Sequence, residues 1–230
     1  MSLSGQQFVD TINSVIGGSP LANSGNPVSP HEPEIGELEH RYLAECLDST
    51  FVSSVGAFIT QLEERIRTIT GAKHAIAVSN GTVGLEVALV LAGVKDGDEV
   101  IIPTLSFIAT ANAVVHAGGV PHFIDSETTT LGMDPVALAD LLASFERRGD
   151  DIINPTSGRR IGAISPMHTL GHPAQIEEIC RIADEYGIPV VEDAAESLGS
   201  FVGSRHTGTF GLLGVISFNG NKIVTTGGGG

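Results

Sequence analysis

Basic side chains are scarce in this sequence: 12 Lys and Arg stand against 27 Asp and Glu, a formal charge of −15 at pH 7. So few cations argue against phosphate-backbone or anionic-membrane binding as the main activity, and any anionic ligand must be held by a local site. Cysteine is nearly absent. Cys46 and Cys180 stand alone, without a spacing that suggests zinc or a disulfide framework, which fits a reducing, cytoplasmic compartment. No apolar run is long enough to span a bilayer, since the longest, Val83 to Val94, is interrupted by Glu86. Residues 1–30 hold no Lys or Arg, so a secretory signal lacks its basic start. Neither the Gly-Lys-Ser/Thr order of a Walker loop nor a G-x-G-x-x-G after the first strand is present. A nicotinamide-dependent oxidoreductase therefore ranks low.

What is present is enough apolar material, 41% of 230 residues at a mean hydropathy of +0.20, to bury the core of one large domain. Residues 1–30, rich in Gly, Pro, Ser and Asn from Gly17 onward, read as a flexible lead into a domain spanning 31–230. Helical spacing recurs at Ile59, Leu62, Ile66 and Ile69, at Leu138, Leu141, Leu142 and Phe145, and at Ile176, Ile179, Cys180 and Ala183. Between these faces lie short apolar runs at 75–78, 99–102, 120–124, 161–164 and 188–191, which suit buried parallel strands. The alternation predicts a three-layer α/β domain with a mostly parallel central sheet.

Ligands of such domains gather at the carboxyl ends of strands, and four unusual segments fall there. Ser79-Asn80-Gly81-Thr82 precedes an apolar helix, so Gly81 and Thr82 are candidates for a phosphate at a helix start, although an ordinary N-cap has the same sequence. Phe107 follows the strand ending at Ile102 and can stack on a flat heteroaromatic ring or simply fill core. Glu192-Asp193 closes an apolar strand, where two acids are costly to bury unless partnered. Lys222 lies 29 positions after Asp193, in Ser217-Phe218-Asn219-Gly220-Asn221-Lys222. An amine able to form a Schiff base, paired with a carboxylate able to keep a pyridinium protonated, is what pyridoxal phosphate (PLP) chemistry requires. His168 and His172 are four apart, but Gly171 and Pro173 break a helix there, so a structural or substrate-side role outweighs a metal site.

In this order and at these spacings, and above all in EDAAESLGS (192–200) with SFNGNKIVTTGGGG (217–230), residues 31–230 resemble the DegT/DnrJ/EryC1/StrS sugar-nucleotide aminotransferases among the fold type I PLP enzymes. The resemblance implies an aspartate aminotransferase-like large domain. It implies that Lys222 carries the cofactor, Asp193 pairs with the pyridine nitrogen, and Ala195 and Phe107 pack on the two ring faces. Gly81, Thr82, Ser217 and Asn219 would hold the phosphate, and Glu196 would stand near the phenolic oxygen where the family often has Gln or His. The implied reaction is amino transfer, from an amino acid such as glutamate to the keto carbon of a nucleotide-linked 4-keto-6-deoxy sugar. Such a reaction serves polysaccharide or glycan biosynthesis, in a homodimer.

Phe51 to Gly56 and the His168 to Pro173 segment, with Pro30-His31-Glu32-Pro33, look most like the UDP-sugar (bacillosamine and legionaminic acid) subgroup; GDP-perosamine synthases are close neighbours. Family members continue well past the glycine run into a small C-terminal domain, whereas this sequence stops at Gly230. A chain without that domain, and an inactive scaffold derived from the enzyme, are the corresponding expectations.

Overall fold

The computed structural model describes residues 33–230 together with Ser4, Gln7, Asp10, Thr11 and Ser14. The chain divides into two units, Met1–Glu34 and Ile35–Gly230. In the first, Ser4 and Gln7 cap each other: the Gln7 amide donates to Ser4 Oγ (3.2 Å) and the Ser4 amide to Gln7 Oε1 (2.9 Å), the reciprocal pattern of a capping box. Thr11 Oγ1 donates to Gln7 O at 2.8 Å and Ser14 Oγ to Thr11 O at 2.7 Å. Asp10 apart, the other residues of the segment expected to be flexible, among them the motif residue Pro30, and the motif residues His31 and Glu32 lie outside the described residues.

The second unit opens with α1 (Glu37–Asp48) and α2 (Ala57–Thr70). α1 buries none of its residues and α2 only Thr70, so the apolar stripe at Ile59, Leu62, Ile66 and Ile69 is not core. The core starts at α3 (Gly81–Leu91), followed by β1 (Glu99–Pro103), α4 (Ile108–His116), β2 (Val120–Ile124) and α5 (Pro135–Ala143). Next come β3 (Glu146–Arg148), β4 (Asp151–Ile153), β5 (Ile161–Ile164), a 3-10 turn (Thr169–Gly171) and α6 (Ile176–Tyr186). β6 (Val191–Asp193), β7 (Phe201–Val202), β8 (Arg205–His206) and β9 (Leu213–Val215) complete the order.

β1 pairs in parallel with β2 and β5, and β6 in parallel with β9. Single parallel bridges, Ile164 to Val190 and Met167 to Asp193, join the two ladders, so the spatial order is β2-β1-β5-β6-β9. Side chains alternate across a strand, and the two cores follow that period. Ile101 and Ile164 pack with Leu138 and Leu142 of α5 and Ile176 and Ile179 of α6. Val100, Ile102 and Ala163 pack on the other face with Leu85 and Leu89 of α3 and Ala113 and Val114 of α4. Each fully buried Leu or Ile contributes about 1.5–3 kcal/mol, which fixes three layers with helices on both sides of the sheet.

Two of the five expected strands differ from the sequence reading. Residues 75–78 form no ladder, because the Ala77 amide is diverted to Glu63 Oε1 (2.9 Å) and only Val78 exchanges backbone bonds, with Gly230. The run at 188–191 starts its strand three residues late. The Ile188 amide caps α6 by donating to Ala183 O (3.0 Å), Pro189 has no amide to give, and Val190 makes one bridge before the ladder begins at Val191.

Candidate active site

The carboxyl ends of β1, β6 and β9 and the head of α3 meet at one edge of the sheet, around a cavity of about 470 Å³. Asn80 caps α3, accepting the Val83 amide on Oδ1 at 2.9 Å, so the ordinary N-cap reading is correct for Asn80. Gly81 and Thr82 follow as the first helical residues, whose amides point out of the helix without an intrahelical acceptor. A Cβ on Gly81 would stand 3.0 Å from Ser217 Cβ and 3.3 Å from its Oγ. The bare glycine thus lets Ser217 lie against the helix start. Ser217 Oγ accepts the Asn219 amide at 3.3 Å, which turns the chain toward Lys222.

Asp193 is 2% exposed at the end of β6. The Thr110 hydroxyl, in the first turn of α4, donates to its Oδ2 at 2.6 Å, and the Ala195 amide donates to Oδ1 at 3.2 Å. Burial pushes the Asp193 carboxyl above the ordinary range, opposed by those two donors and by the charge of Lys222. Glu192, one residue earlier, points the other way into protein. Its Oε1 accepts the Gly211 amide (2.6 Å), and its Oε2 accepts the Gly208 amide (2.7 Å) and lies 3.0 Å from His168 Nε2. Because His168 Nδ1 accepts the Ala174 amide (3.1 Å), the ring proton sits on Nε2 and is donated to Glu192.

Lys222 lies on the loop after β9, which folds back through bonds of Phe218 with Thr226 and Gly229. Its Nζ is 2.9 Å from Glu196 Oε1 and 5.1 Å from the centre of the Phe107 ring. Phe107 is half exposed, and its amide donates to Met167 Sδ at 3.3 Å. Of the nine residues predicted from sequence, Gly81, Thr82, Phe107, Asp193, Ala195, Ser217, Asn219 and Lys222 line this cavity together. Glu196 is not among its walls and reaches the site through Lys222.

Thr110, Met167 and His168 were not singled out for the cofactor site by their sequence context. The available signal for Thr110 was a hydroxyl in an otherwise apolar helical stretch. His168 is buried and His172 exposed, and among the described residues no group of three or more His, Cys, Asp or Glu could hold a metal ion. Likewise no helix is long and apolar enough to cross a membrane.

Residues 33–230 match the DegT/DnrJ/EryC1/StrS aminotransferase family. The chain is 39% identical over 200 residues to the GDP-perosamine synthase of Escherichia coli O157:H7, a match that covers 87% of this chain and 51% of that protein. Among solved structures it superposes on DesI, determined in the presence of its TDP-sugar product, with a TM-score of 0.76 at 30% identity, covering 94% of this chain and 51% of that one. It also superposes on an E. coli GDP-4-keto-6-deoxy-D-mannose-3-dehydratase with bound hydrated PLP (TM-score 0.73, 25% identity, 88% of this chain and 50% of that one). The chain spans about half the length of these relatives. On a match that runs from residue 33 to residue 230, with eight of the nine predicted residues around one cavity, the chain belongs to the DegT/DnrJ/EryC1/StrS aminotransferase family.

Proposed function

We propose that this protein transfers an amino group from an amino acid, glutamate in the first instance, to the 4-keto carbon of a nucleotide-linked 4-keto-6-deoxy sugar. The observation that carries the reading is a lysine amine and a buried carboxylate lining one cavity with a helix N-terminus. The cofactor indicated by the family and by a solved relative is pyridoxal 5′-phosphate. The residues fit it. A helix head with bare amides at Gly81 and Thr82, supplemented by Ser217 and Asn219, suits a phosphate. Phe107 offers an aromatic face and Ala195 a small one, and the cavity lies within the roughly 300–1,000 Å³ usual for such ligands.

When bound, the cofactor supplies an electron sink for the carbon that loses its proton. Asp193 keeps a proton on the pyridine nitrogen, and Thr110 and the Ala195 amide fix the direction of its carboxylate. Lys222 would hold the cofactor through Nζ and, when its amine is free, would move a proton on that same atom at the reacting carbons. Borohydride reduction and peptide mapping test the assignment: a pyridoxyl group should be found on Lys222, and finding it on Lys73 or Lys95 would overturn it.

Our reading of the nucleotide is UDP, from the Phe51–Gly56 and His168–Pro173 segments. A GDP-linked substrate is the second reading, favoured by the perosamine synthase relative. Amino transfer assayed on a panel of UDP-, GDP- and TDP-linked keto sugars separates the two. We further infer a homodimer in the cytoplasm. Ile108 (66% exposed) and Val115 on α4, with Val90 and Leu91 (70%) on α3, leave apolar side chains on the surface of these two helices. Cys46 and Cys180 are both free thiols, in keeping with a reducing compartment. Light scattering with and without cofactor checks the assembly, and a strictly monomeric, cofactor-loaded chain would refute it.

A further inference from the structure

Glu196 is held from two sides. Its Oε2 accepts the Leu170 amide at 3.0 Å, and its Oε1 accepts from Lys222 Nζ at 2.9 Å. The Leu170 arm is built at a cost, because this non-glycine residue stands at φ 54°, in the left-handed region. The following turn presses close: a Cβ on Gly171 would come within 2.5 Å of Glu196 O, and Ser200 Oγ donates to Gly171 O at 2.7 Å. The 168–172 loop is therefore clamped onto the 194–197 turn. The carboxylate is aimed by backbone on one oxygen and offers the other to Lys222. The Lys222 side chain is 8% exposed and that of Glu196 22%, so water competes weakly for the pair.

We propose that Glu196 is the docking site of the free Lys222 amine, a positioning residue that receives Nζ whenever this nitrogen is not covalently engaged. The inference rests on the assignment of Lys222 as the cofactor lysine and adds a second state of that residue. An amine released from the cofactor would otherwise leave a long, flexible side chain to search for a new place. Glu196 returns it to one position, 5.1 Å from the Phe107 ring centre on the cavity wall, from which it can carry its proton. Before each covalent attachment the same hydrogen bond must open, so Glu196 also slows capture of the cofactor.

The chain has three lysines, Lys73, Lys95 and Lys222, which supplies an internal standard. Glu196→Gln has one amide oxygen for two donors and no charge. It can keep the Leu170 contact, and the loop with it, while releasing Lys222. In cofactor-free protein, acetic anhydride labelling quantified by mass spectrometry should show Lys222 reacting roughly five- to tenfold faster in Glu196→Gln than in wild type, relative to Lys73 and Lys95. Capture of added PLP, followed by absorbance, should accelerate in parallel.

An unchanged Lys222 ratio with an unchanged capture rate would overturn the proposal, as would slower labelling of Lys222 in the variant. Glu196→Ala, which also removes the Leu170 acceptor, should release Lys222 at least as much. If it loosens all three lysines alike and Glu196→Gln changes none, Glu196 serves the loop alone and the docking role is refuted. Failure of the cofactor assignment reads differently: the pyridoxyl label would be missing from Lys222 in wild type, whatever the labelling ratios show.

Discussion

Glu192 and Asp193 are consecutive carboxylates on one buried strand, at 0% and 2% exposure, yet they are partnered in different ways. Glu192 accepts from two glycine amides and from His168, so its acceptors are spent within the protein. Asp193 accepts from Thr110 and Ala195 and faces the cavity that Lys222 also lines. The period of a β-strand makes this division, since neighbours point to opposite sides. Burial is alike for the pair, and what separates the two acids is the count of internal donors and which of them faces the cavity.

The sharpest break of this comparison is a change in function without a change in fold. Asp193→Asn keeps an oxygen for Thr110 or Ala195 but lacks the charge that stabilises a pyridinium. Amino transfer should fall on the order of 10²- to 10³-fold, as when a single group aimed at developing charge is removed, while PLP is retained. Steady-state turnover and cofactor absorbance measure the two effects, and near-normal turnover would assign the task to another group.

At Glu192 the opposite outcome is expected. Glu192→Ala leaves the Gly208 and Gly211 amides and the His168 Nε2–H without their acceptor, at a cost of about 3–5 kcal/mol. Thermal denaturation should show the melting temperature lowered by roughly 6–20 °C. A variant of unchanged stability would mean that this network contributes nothing and that donor count is a poor guide.

Much of this division could be read from the amino acids, and the remainder only from contacts. The runs at 99–102 and 161–164 became strands because each is buried between two helical layers, where an apolar run has one favourable outcome, whereas 120–124 is only partly buried and owes its strand to pairing along the whole of β1. The run at 75–78 has the same composition but no ladder partner beyond Gly230, and pairing is not a local property. That an acid at 192 or 193 must be partnered followed from desolvation. Which of the two faces the cavity depends on register. Thr110 lies 83 positions from Asp193, and a threonine in a helix has no local mark of such a bond. Gly81, Ser217 and Lys222 were legible because unusual residues cluster at strand ends. The pairing of Glu196 with Lys222 instead depends on how the loops close.

A smaller change sharpens the Asp193 side. Thr110→Val preserves shape and removes the hydroxyl that directs Oδ2, with loss of the acceptor for Ser106 Oγ (3.0 Å) as a second consequence. The cost should be about 1–3 kcal/mol of stability, with cofactor affinity weakened by about tenfold. Equilibrium denaturation and PLP titration check this. Affinity unaffected by the change would make Thr110 a packing residue.

The smallest expected effect is a pH dependence that belongs to Asp193 alone. Burial raises its carboxyl above the unfolded value of about 3.9, so in the cofactor-free protein the folded state binds this proton more tightly than the unfolded state does. Stability from the protonated group is then fully present below the unfolded value. It is lost as pH rises through the folded value, with no further change above. Asp193→Asn has no such proton, so its stability relative to wild type should climb from pH 4 upward and then level off. Glu127, held down to about 2 chiefly by the Thr130 hydroxyl, titrates in both proteins and cancels in the difference. Each kcal/mol relieved corresponds to roughly 2–4 °C in melting temperature. Paired thermal scans between pH 4 and 8 measure the difference. A gap that does not vary with pH would show that the Asp193 carboxyl is not raised and that its two donors offset its burial.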